Sequence, residues 1–250
     1  MNLFKKAFYL LWKIYFLLVF LAAFLVLFIP FLILFSIGKR PFKMAMFLMR
    51  CHSWFISLMT LTRFSVKGKE NFPSAPYIVC SNHSSYTDIV YAYCIIPDYF
   101  VFLAKKELGS VPGFKVFFKS MNILVNRKNS AEAKKSLENC EERLKEGESI
   151  IIFPEGTIPE SAPKLKSFKN GPFSLAIKAG VPIVPVTFLD NHKRMAEGSW
   201  FAAASPGKAR VVVYPAIETK NLSKEDLVSL KEQTYEAIAK PLKEIINESK

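Results

Sequence analysis

An α/β fold, with a mixed and mostly parallel central sheet flanked by helices, follows from three features of the sequence. Past Lys67, short apolar runs alternate with longer mixed segments, the rhythm of buried strands and the helices that cover them. The run Ser149–Phe153 is apolar in its last four positions and stops at Pro154, as a strand covered on both faces would. Ahead of Lys67 the pattern differs: no charged residue occurs from Ile14 to Gly38. That stretch adds an N-terminal membrane-embedded helix or two-helix hairpin. The expected division is residues 1–66 in the membrane-embedded part and residues 67–250 in the α/β domain.

The uncharged run has 25 residues, and a helix needs about 20 to cross a hydrocarbon core. Lys5, Lys6 and Lys13 precede it, and Lys39, Arg40 and Lys43 follow it, so charge on both flanks leaves its orientation open. Pro30 can kink a helix at this depth. The run is too long for a secretory leader, and no small-residue cleavage site follows it. A second apolar stretch, Phe42 to Phe64, carries Lys43, Arg50, His52 and Arg63 and suits an interfacial helix better than a spanning one. Either the first helix spans the bilayer, or both form a hairpin in one leaflet.

Strands are expected at Tyr77–Cys80, Tyr99–Leu103, Ile123–Val125, Ser149–Phe153, Ile183–Phe188 and Ala209–Tyr214. Pro182 and Pro185 make the fifth of these partly an edge or bulged strand, because proline cannot donate to a ladder. Helices are expected over Ser130–Lys145, stopped by Gly147, and over Gly171–Ala179, stopped by Gly180. Ser223, three residues before Asp226, reads as a capping box for an amphipathic helix running to about Lys240.

The formal net charge is +13, from 34 Lys and Arg against 21 Asp and Glu. Such a balance suits nucleic acid or an anionic membrane surface. Scattered cations beside an apolar N-terminus favour the membrane, and no nucleic-acid signature is present. Cys51, Cys80, Cys94 and Cys140 match no zinc or redox spacing, so no metal is expected. Cys80 and Cys94 read as small buried hydrophobes, and the expected compartment is reducing.

Two motifs carry chemistry. In Asn82-His83-Ser84-Ser85-Tyr86-Thr87-Asp88, five steps separate the histidine from the aspartate, about 140° on one helix. The pair can meet if His83 lies in the turn after the Tyr77–Cys80 strand and Asp88 in the first helical turn, with Ser84 or Ser85 as N-cap. Asp88 would then hold Nδ1, leaving Nε2 to take a proton from a substrate hydroxyl. Phe153-Pro154-Glu155-Gly156-Thr157 ends the most apolar strand, where ligands bind in open α/β sheets. Gly156 would admit an anionic group close to the backbone, Thr157 could donate a hydrogen bond, and Glu155 could accept from a substrate hydroxyl or hold a cation. Arg127, after the Ile123–Val125 strand, could bind phosphate in a bidentate fork. Lys164, Lys166 and Lys169 crowd the following loop, either as a solvated face or as a surface for phosphate.

From Gly68 to Tyr214 these residues resemble the glycerolipid acyltransferase family, whose best-known members are 1-acylglycerol-3-phosphate acyltransferases. The match lies in four ordered blocks: His83 to Asp88, the segment ending Val125-Asn126-Arg127, Phe153 to Thr157, and Val181 to Val186. The resemblance implies His83 as base with Asp88 as its partner. It also implies acceptor binding by Arg127 and by Glu155, Gly156 and Thr157, with Lys169 nearby. Two positions depart from the family: Met121 stands where glycine usually opens the second block, and Ile158 where arginine often follows the third.

The implied enzyme is a membrane-bound O-acyltransferase of phospholipid biosynthesis. It would carry an acyl group from acyl-CoA or acyl-carrier protein to a lyso-lipid acceptor, giving phosphatidic acid. It needs no cofactor, and it sits on the cytoplasmic membrane with its catalytic domain facing the cytoplasm. The Ile158 departure keeps another acceptor open, such as an acylated amino acid lipid. A non-catalytic lipid-binding protein is the reading from another class. The absence of a G-x-S-x-G elbow argues against a serine lipase.

Overall fold

The computed structural model describes residues 2–37, 42–110 and 121–248. Gly38, Lys39 and Arg40, at the end of the uncharged run, lie outside the described residues. The chain begins with two helices, α1 (Leu3–Ser36) and α2 (Phe42–Met59). Asn2 caps α1 by accepting from the Lys5 N–H, and the helix continues through Pro30. Its buried residues, Lys13, Phe16, Phe24 and Phe31, recur at spacings that make one stripe. The buried residues of α2, from Phe42 to Ser57, do the same. The helices run antiparallel: Tyr15 Oη donates to the Met59 carbonyl at 2.8 Å, and the Phe35 and Phe42 rings meet 6.0 Å apart. Leu11, Leu18, Leu25 and Ile33 stand on the exposed side of α1. Among the described residues, α1 is the one helix long and apolar enough to cross a membrane.

Among the described residues there are seven strands, β1 (Thr62–Lys67), β2 (Ile78–Ser81), β3 (Phe100–Lys105), β4 (Ile123–Val125), β5 (Ser149–Ile152), β6 (Ile183–Phe188) and β7 (Gly207–Val213). Their order across the sheet is β1-β7-β6-β2-β5-β3-β4. Every pairing is parallel except β6 with β7. The boundary expected between residues 66 and 67 falls inside β1, which pairs with β7 and belongs to the sheet.

Further α-helices among the described residues are α3 (Thr87–Ile95), α4 (Ser130–Lys145), α5 (Gly171–Ala179), the single turn α6 (Asn191–Arg194) and α7 (Leu227–Glu248). The sheet is buried on both faces. Tyr77, Val79, Phe100, Phe102, Ile151 and Phe153 cluster on the face covered by α1, α2 and α3. Ile78, Cys80, Val101, Ile150 and Ile152 cluster on the face covered by α4, α5 and α7. From β2 the chain crosses to β3 on one side of β5, and from β5 it crosses back to β6 beyond β2. The carboxyl ends of β2 and β5 therefore sit side by side where the winding reverses, the place where open α/β sheets bind ligands.

Two expectations are corrected. β6 is an interior strand, buried at all six positions, and not an edge. Pro185 is tolerated because its carbonyl accepts from the Tyr214 N–H, just past the end of β7, while regular β7 pairing begins only at Val186. The missing donor thus falls in a gap between that ladder and the isolated Ile183–Ile217 bridge. The last helix also runs past Lys240 and through Pro241 to Glu248. Leu230, Ile238, Leu242 and Ile245 continue its buried stripe across the proline, so packing offsets the lost backbone bond. The Ser223–Asp226 capping box is present and opens a short 3-10 turn that leads into α7.

Candidate active site

His83 follows β2 in the turn before α3, and Asp88 lies in the first turn of α3. His83 Nδ1 and Asp88 Oδ2 are 2.9 Å apart. Asp88 is fully buried, while the His83 side chain is 11% exposed and so reachable. A buried carboxylate needs several donors to be tolerated. Asp88 has them: Oδ2 also accepts from the Ser84 N–H at 2.7 Å and the Ser85 N–H at 2.9 Å, and Oδ1 accepts from Asn191 Nδ2 at 2.7 Å. With Nδ1–H donated to Asp88, the lone pair is on Nε2.

The serines differ from expectation. The residue preceding α3 is Tyr86, with helical dihedrals and no side-chain cap. Ser85 Oγ accepts from the Thr87 N–H at 3.1 Å, and Asp88 gathers the two serine amides. Asn82, fully buried, pairs with Phe188 as a backbone rung would: Nδ2 donates to the Phe188 carbonyl and Oδ1 accepts from its N–H. This fixes the end of β2 against the end of β6, and so the start of the His83 turn.

β5 delivers the Phe153–Thr157 turn beside that loop. The Phe153 ring stacks on the His83 imidazole, centroids 4.0 Å apart at 12°. The turn closes with the Gly156 N–H on the Phe153 carbonyl, and Gly156 has φ +77°, which favours glycine. Glu155 is buried, and each carboxylate oxygen accepts a backbone N–H, Oε1 from His83 and Oε2 from Lys166, at 2.9 and 2.8 Å. Burial holds its pKa above the ordinary glutamate value, against the lowering effect of those two bonds. The side chain thus ties the turn to the His83 backbone, and it also lines a cavity shared with Arg127.

Arg127 reaches from the end of β4 and donates from Nη1 to the Gly156 carbonyl. Together they line a cavity of about 540 Å³ that also includes Phe153, Glu155, Thr157, Lys166 and Lys169. Lys164 is not in its wall, and buried Ile158 does not line it either. The cavity wall carries the cations Arg127, Lys166 and Lys169, and His83 meets it through Phe153, on which the imidazole stacks, which suits an anionic head group near a base. Among the described residues, no cluster of His, Cys, Asp or Glu is placed to hold a metal ion.

On the other face of the sheet edge lies an apolar groove of about 440 Å³, between α1, α2 and α3. Phe16, Phe20, Phe24, Tyr93 and Phe102 form much of its wall, and Met121 lines it as well. Phe102 stacks at 6.3 Å on Phe153, which lines the polar cavity. The Phe102–Phe153 pair thus partitions apolar groove from polar cavity, with His83 resting on the partition. No cysteine lines either cavity. All four cysteines are free, and burial raises the pKa of the Cys80, Cys94 and Cys140 thiols, the last two to about 12. Cys51 is exposed and Cys94 only half-buried.

Three residues at the site had no expected role. Asn82 stood in the motif without one. Phe153 counted only as a strand end. Asn191 carries no local signal except its place after an apolar strand. Asp190, its neighbour, holds Arg210 of β7 through paired 2.8 Å bonds, which anchors the turn that presents Asn191. Burial alone would raise the Asp190 pKa, but the Arg210 hydrogen bonds and charge outweigh it and the net shift is down.

Comparison with known proteins sets this geometry among relatives. The chain is 31% identical to the 1-acyl-sn-glycerol-3-phosphate acyltransferase alpha of Mus musculus, over 73% of this chain and 65% of that one. It is 33% identical to a chloroplastic 1-acyl-sn-glycerol-3-phosphate acyltransferase of Arabidopsis thaliana, over 65% of this chain. The chain spans about half the length of the plant and algal relatives, 46% and 47%. The crystal structure of PlsC, the 1-acyl-sn-glycerophosphate acyltransferase of Thermotoga maritima, superposes with a TM-score of 0.78 at 25% identity, covering 96% of this chain and 97% of that one. The family profile described as Acyltransferase matches residues 63–189, from β1 to just past β6, half of the chain. On that match the chain belongs to the acyltransferase family.

Proposed function

We propose that this protein is a membrane-bound O-acyltransferase that transfers a fatty acyl group from a thioester donor, acyl-CoA or acyl-carrier protein, to the free hydroxyl of 1-acylglycerol-3-phosphate, giving phosphatidic acid. One observation carries the reading. His83, with Nδ1 held by buried Asp88, stacks on Phe153, and Phe153 lines a cavity that also carries Arg127, Lys166 and Lys169. The printed names of the relatives agree with it.

In this reading the acceptor phosphate binds Arg127 with help from Lys169, while Gly156 and Thr157 shape the floor. Nε2 of His83 takes the proton of the acceptor hydroxyl as its oxygen attacks the thioester carbonyl. When the tetrahedral adduct collapses, the C–S bond breaks and His83 returns the proton to the thiolate. The products are an ester and a free thiol. General-base catalysis of this kind contributes roughly 10²–10⁴-fold. Asp88 keeps the tautomer and stabilises the imidazolium. The apolar groove holds an acyl chain. The reaction so written uses neither metal nor cofactor.

The membrane part of the reading rests on α1. Its outer face is exposed along its length, while its inner stripe is docked from Lys13 to Phe31, about 27 Å of helix at 1.5 Å per residue. A helix docked over that distance lies along the domain, which favours embedding α1 and α2 in one leaflet over spanning. Free thiols suit a cytoplasm-facing site.

The test is acyl transfer by the detergent-purified full chain. Labelled acyl-CoA and acyl-carrier protein are offered to lysophosphatidate and to a lyso acyl-amino-acid lipid, with His83→Ala alongside. Phosphatidate formation lost in the variant is the expected result. Turnover of the amino acid lipid alone would replace the acceptor. Free acid released without an acceptor would indicate hydrolysis.

A further inference from the structure

Between α6 and β7 the chain makes a closed hairpin. Met195 and Ala204 form an antiparallel bridge, the Ala196 N–H donates to the Ala203 carbonyl, and Gly198 turns the tip at φ +91°. Trp200 and Phe201 stand side by side at the tip, 53% and 44% exposed. The hairpin is fastened at both ends of its reach. Lys13 of α1 donates from Nζ to the Ala196 and Ser199 carbonyls at 2.9 and 2.8 Å. Ser85, in the turn between His83 and Asp88, donates from Oγ to the Met195 carbonyl at 2.6 Å, and Tyr86 Oη donates to Glu197 at 2.9 Å.

We propose that this hairpin is a second lipid contact, which inserts Trp200 and Phe201 into the same leaflet as α1 at the mouth of the apolar groove. The inference rests on the membrane reading above and goes beyond it. The occupant of the exposed pair is a lipid surface because the tip is continuous with one. Lys13, which holds the hairpin, lies between Leu11 and Ile14 on α1, both exposed. Trp200, Gly198 and Lys13 all line the groove, so its rim opens beside the apolar face of α1. Tryptophan prefers the interfacial layer, with its ring among the chains and its N–H among the head groups. The Lys13 ammonium, with two of its three donors on carbonyls, can sit at that depth without being left unpaired. Lys5 and Lys6, near the start of α1, supply charge for an anionic surface. The hairpin then joins the leaflet to the His83–Asp88 turn through Ser85, so that an acyl chain passes from lipid to the base without crossing water.

The test uses the full chain with Trp12→Phe and Trp54→Phe, which leaves Trp200 as the only one of three tryptophans. Vesicles of equal phosphatidylcholine and phosphatidylglycerol are prepared with brominated acyl chains. The expected result is co-sedimentation with strong quenching of Trp200. Co-sedimentation without quenching, and with Trp200 still open to aqueous iodide, overturns the hairpin contact and leaves the membrane reading standing. Failure to co-sediment overturns the membrane reading itself. Phe201→Asp, outside the groove wall, gives an independent readout. Turnover of an acceptor embedded in vesicles should fall several-fold, while turnover of a short-chain soluble acceptor holds. Equal turnover of variant and wild type on vesicles overturns the proposal.

Discussion

Asn191 donates from Nδ2 to Asp88 Oδ1 at 2.7 Å, across 103 residues of chain, and both side chains are fully buried. Asp88 thereby faces His83 through one oxygen and the end of β6 through the other. Asn191 is a positioning residue, and its loss leaves Asp88 with three donors in place of four. A hydrogen bond to a charged group is worth about 1.5–3 kcal/mol, so Asn191→Ala should lower kcat by about one to two orders of magnitude with KM little changed. Asn191→Asp should be worse than alanine, because it sets a second carboxylate against the first. Steady-state kinetics on variants checked for folding decide it. An aspartate variant more active than the alanine variant would sink the idea.

Arg127 is exposed, but its guanidinium is steered into the cavity by the Gly156 carbonyl. Under the proposed function, Arg127→Ala removes a charge-assisted fork from the acceptor phosphate and should raise the acceptor KM roughly 10–100-fold, leaving the donor KM unchanged. Arg127→Lys should recover only part, since an ammonium cannot reproduce the fork. Lys169→Ala should have a smaller effect, as expected of an exposed point charge. Acceptor and donor titrations of the three variants measure this. A donor KM that moves with the acceptor KM would put Arg127 elsewhere in the reaction.

Much of this site was legible because it is local. His83 and Asp88 lie on one strand–turn–helix, and five residues of chain dictate their meeting. The Phe153–Thr157 turn was legible because an apolar strand ended there. The structural partners of Glu155 are illegible for the opposite reason: they include the backbone of His83, 72 residues away, and no spacing in the chain reports that pairing. Pro185 signalled an edge because a sequence shows the missing donor and not the gap in the facing ladder. Asn191 was invisible because a single amide after a strand has no period and no motif.

Gly156 tests whether the turn needs its conformation. At φ +77° an L-residue is strained, while an added Cβ would meet only Lys169 Cγ at 4.0 Å. Gly156→Ala therefore probes the backbone and not the space. The left-handed conformation costs about 1–2 kcal/mol in a residue with a Cβ, and for a chain of this size that lowers Tm by roughly 2–8 °C. Calorimetry in detergent reads the shift. An unchanged Tm would mean that the turn relaxes freely, and then the acceptor KM should be unchanged as well.

His192 makes stability depend on pH. It sits beside Asn191, half-buried, and its Nδ1 has no hydrogen-bond partner. Burial, followed by the charge of Lys193, pushes its pKa from 6.5 down to about 4, against the opposite pull of Asp190 and Asp88. In the unfolded chain the imidazole takes a proton as pH falls through 6.5, while in the folded chain it stays neutral until about 4. The unfolded state thus binds more protons within that window, so stability contributed by His192 is present above it and is lost as pH falls through it. Wild-type Tm should drop between pH 7 and pH 5 as this linkage acts. His192→Phe cannot take up the proton and gives up no bond at Nδ1, so its Tm should fall less over the same range. Thermal melts of both proteins across that range measure the difference. Parallel slopes would show that the acid sensitivity arises from other groups and that His192 is solvated enough to titrate alike in both states.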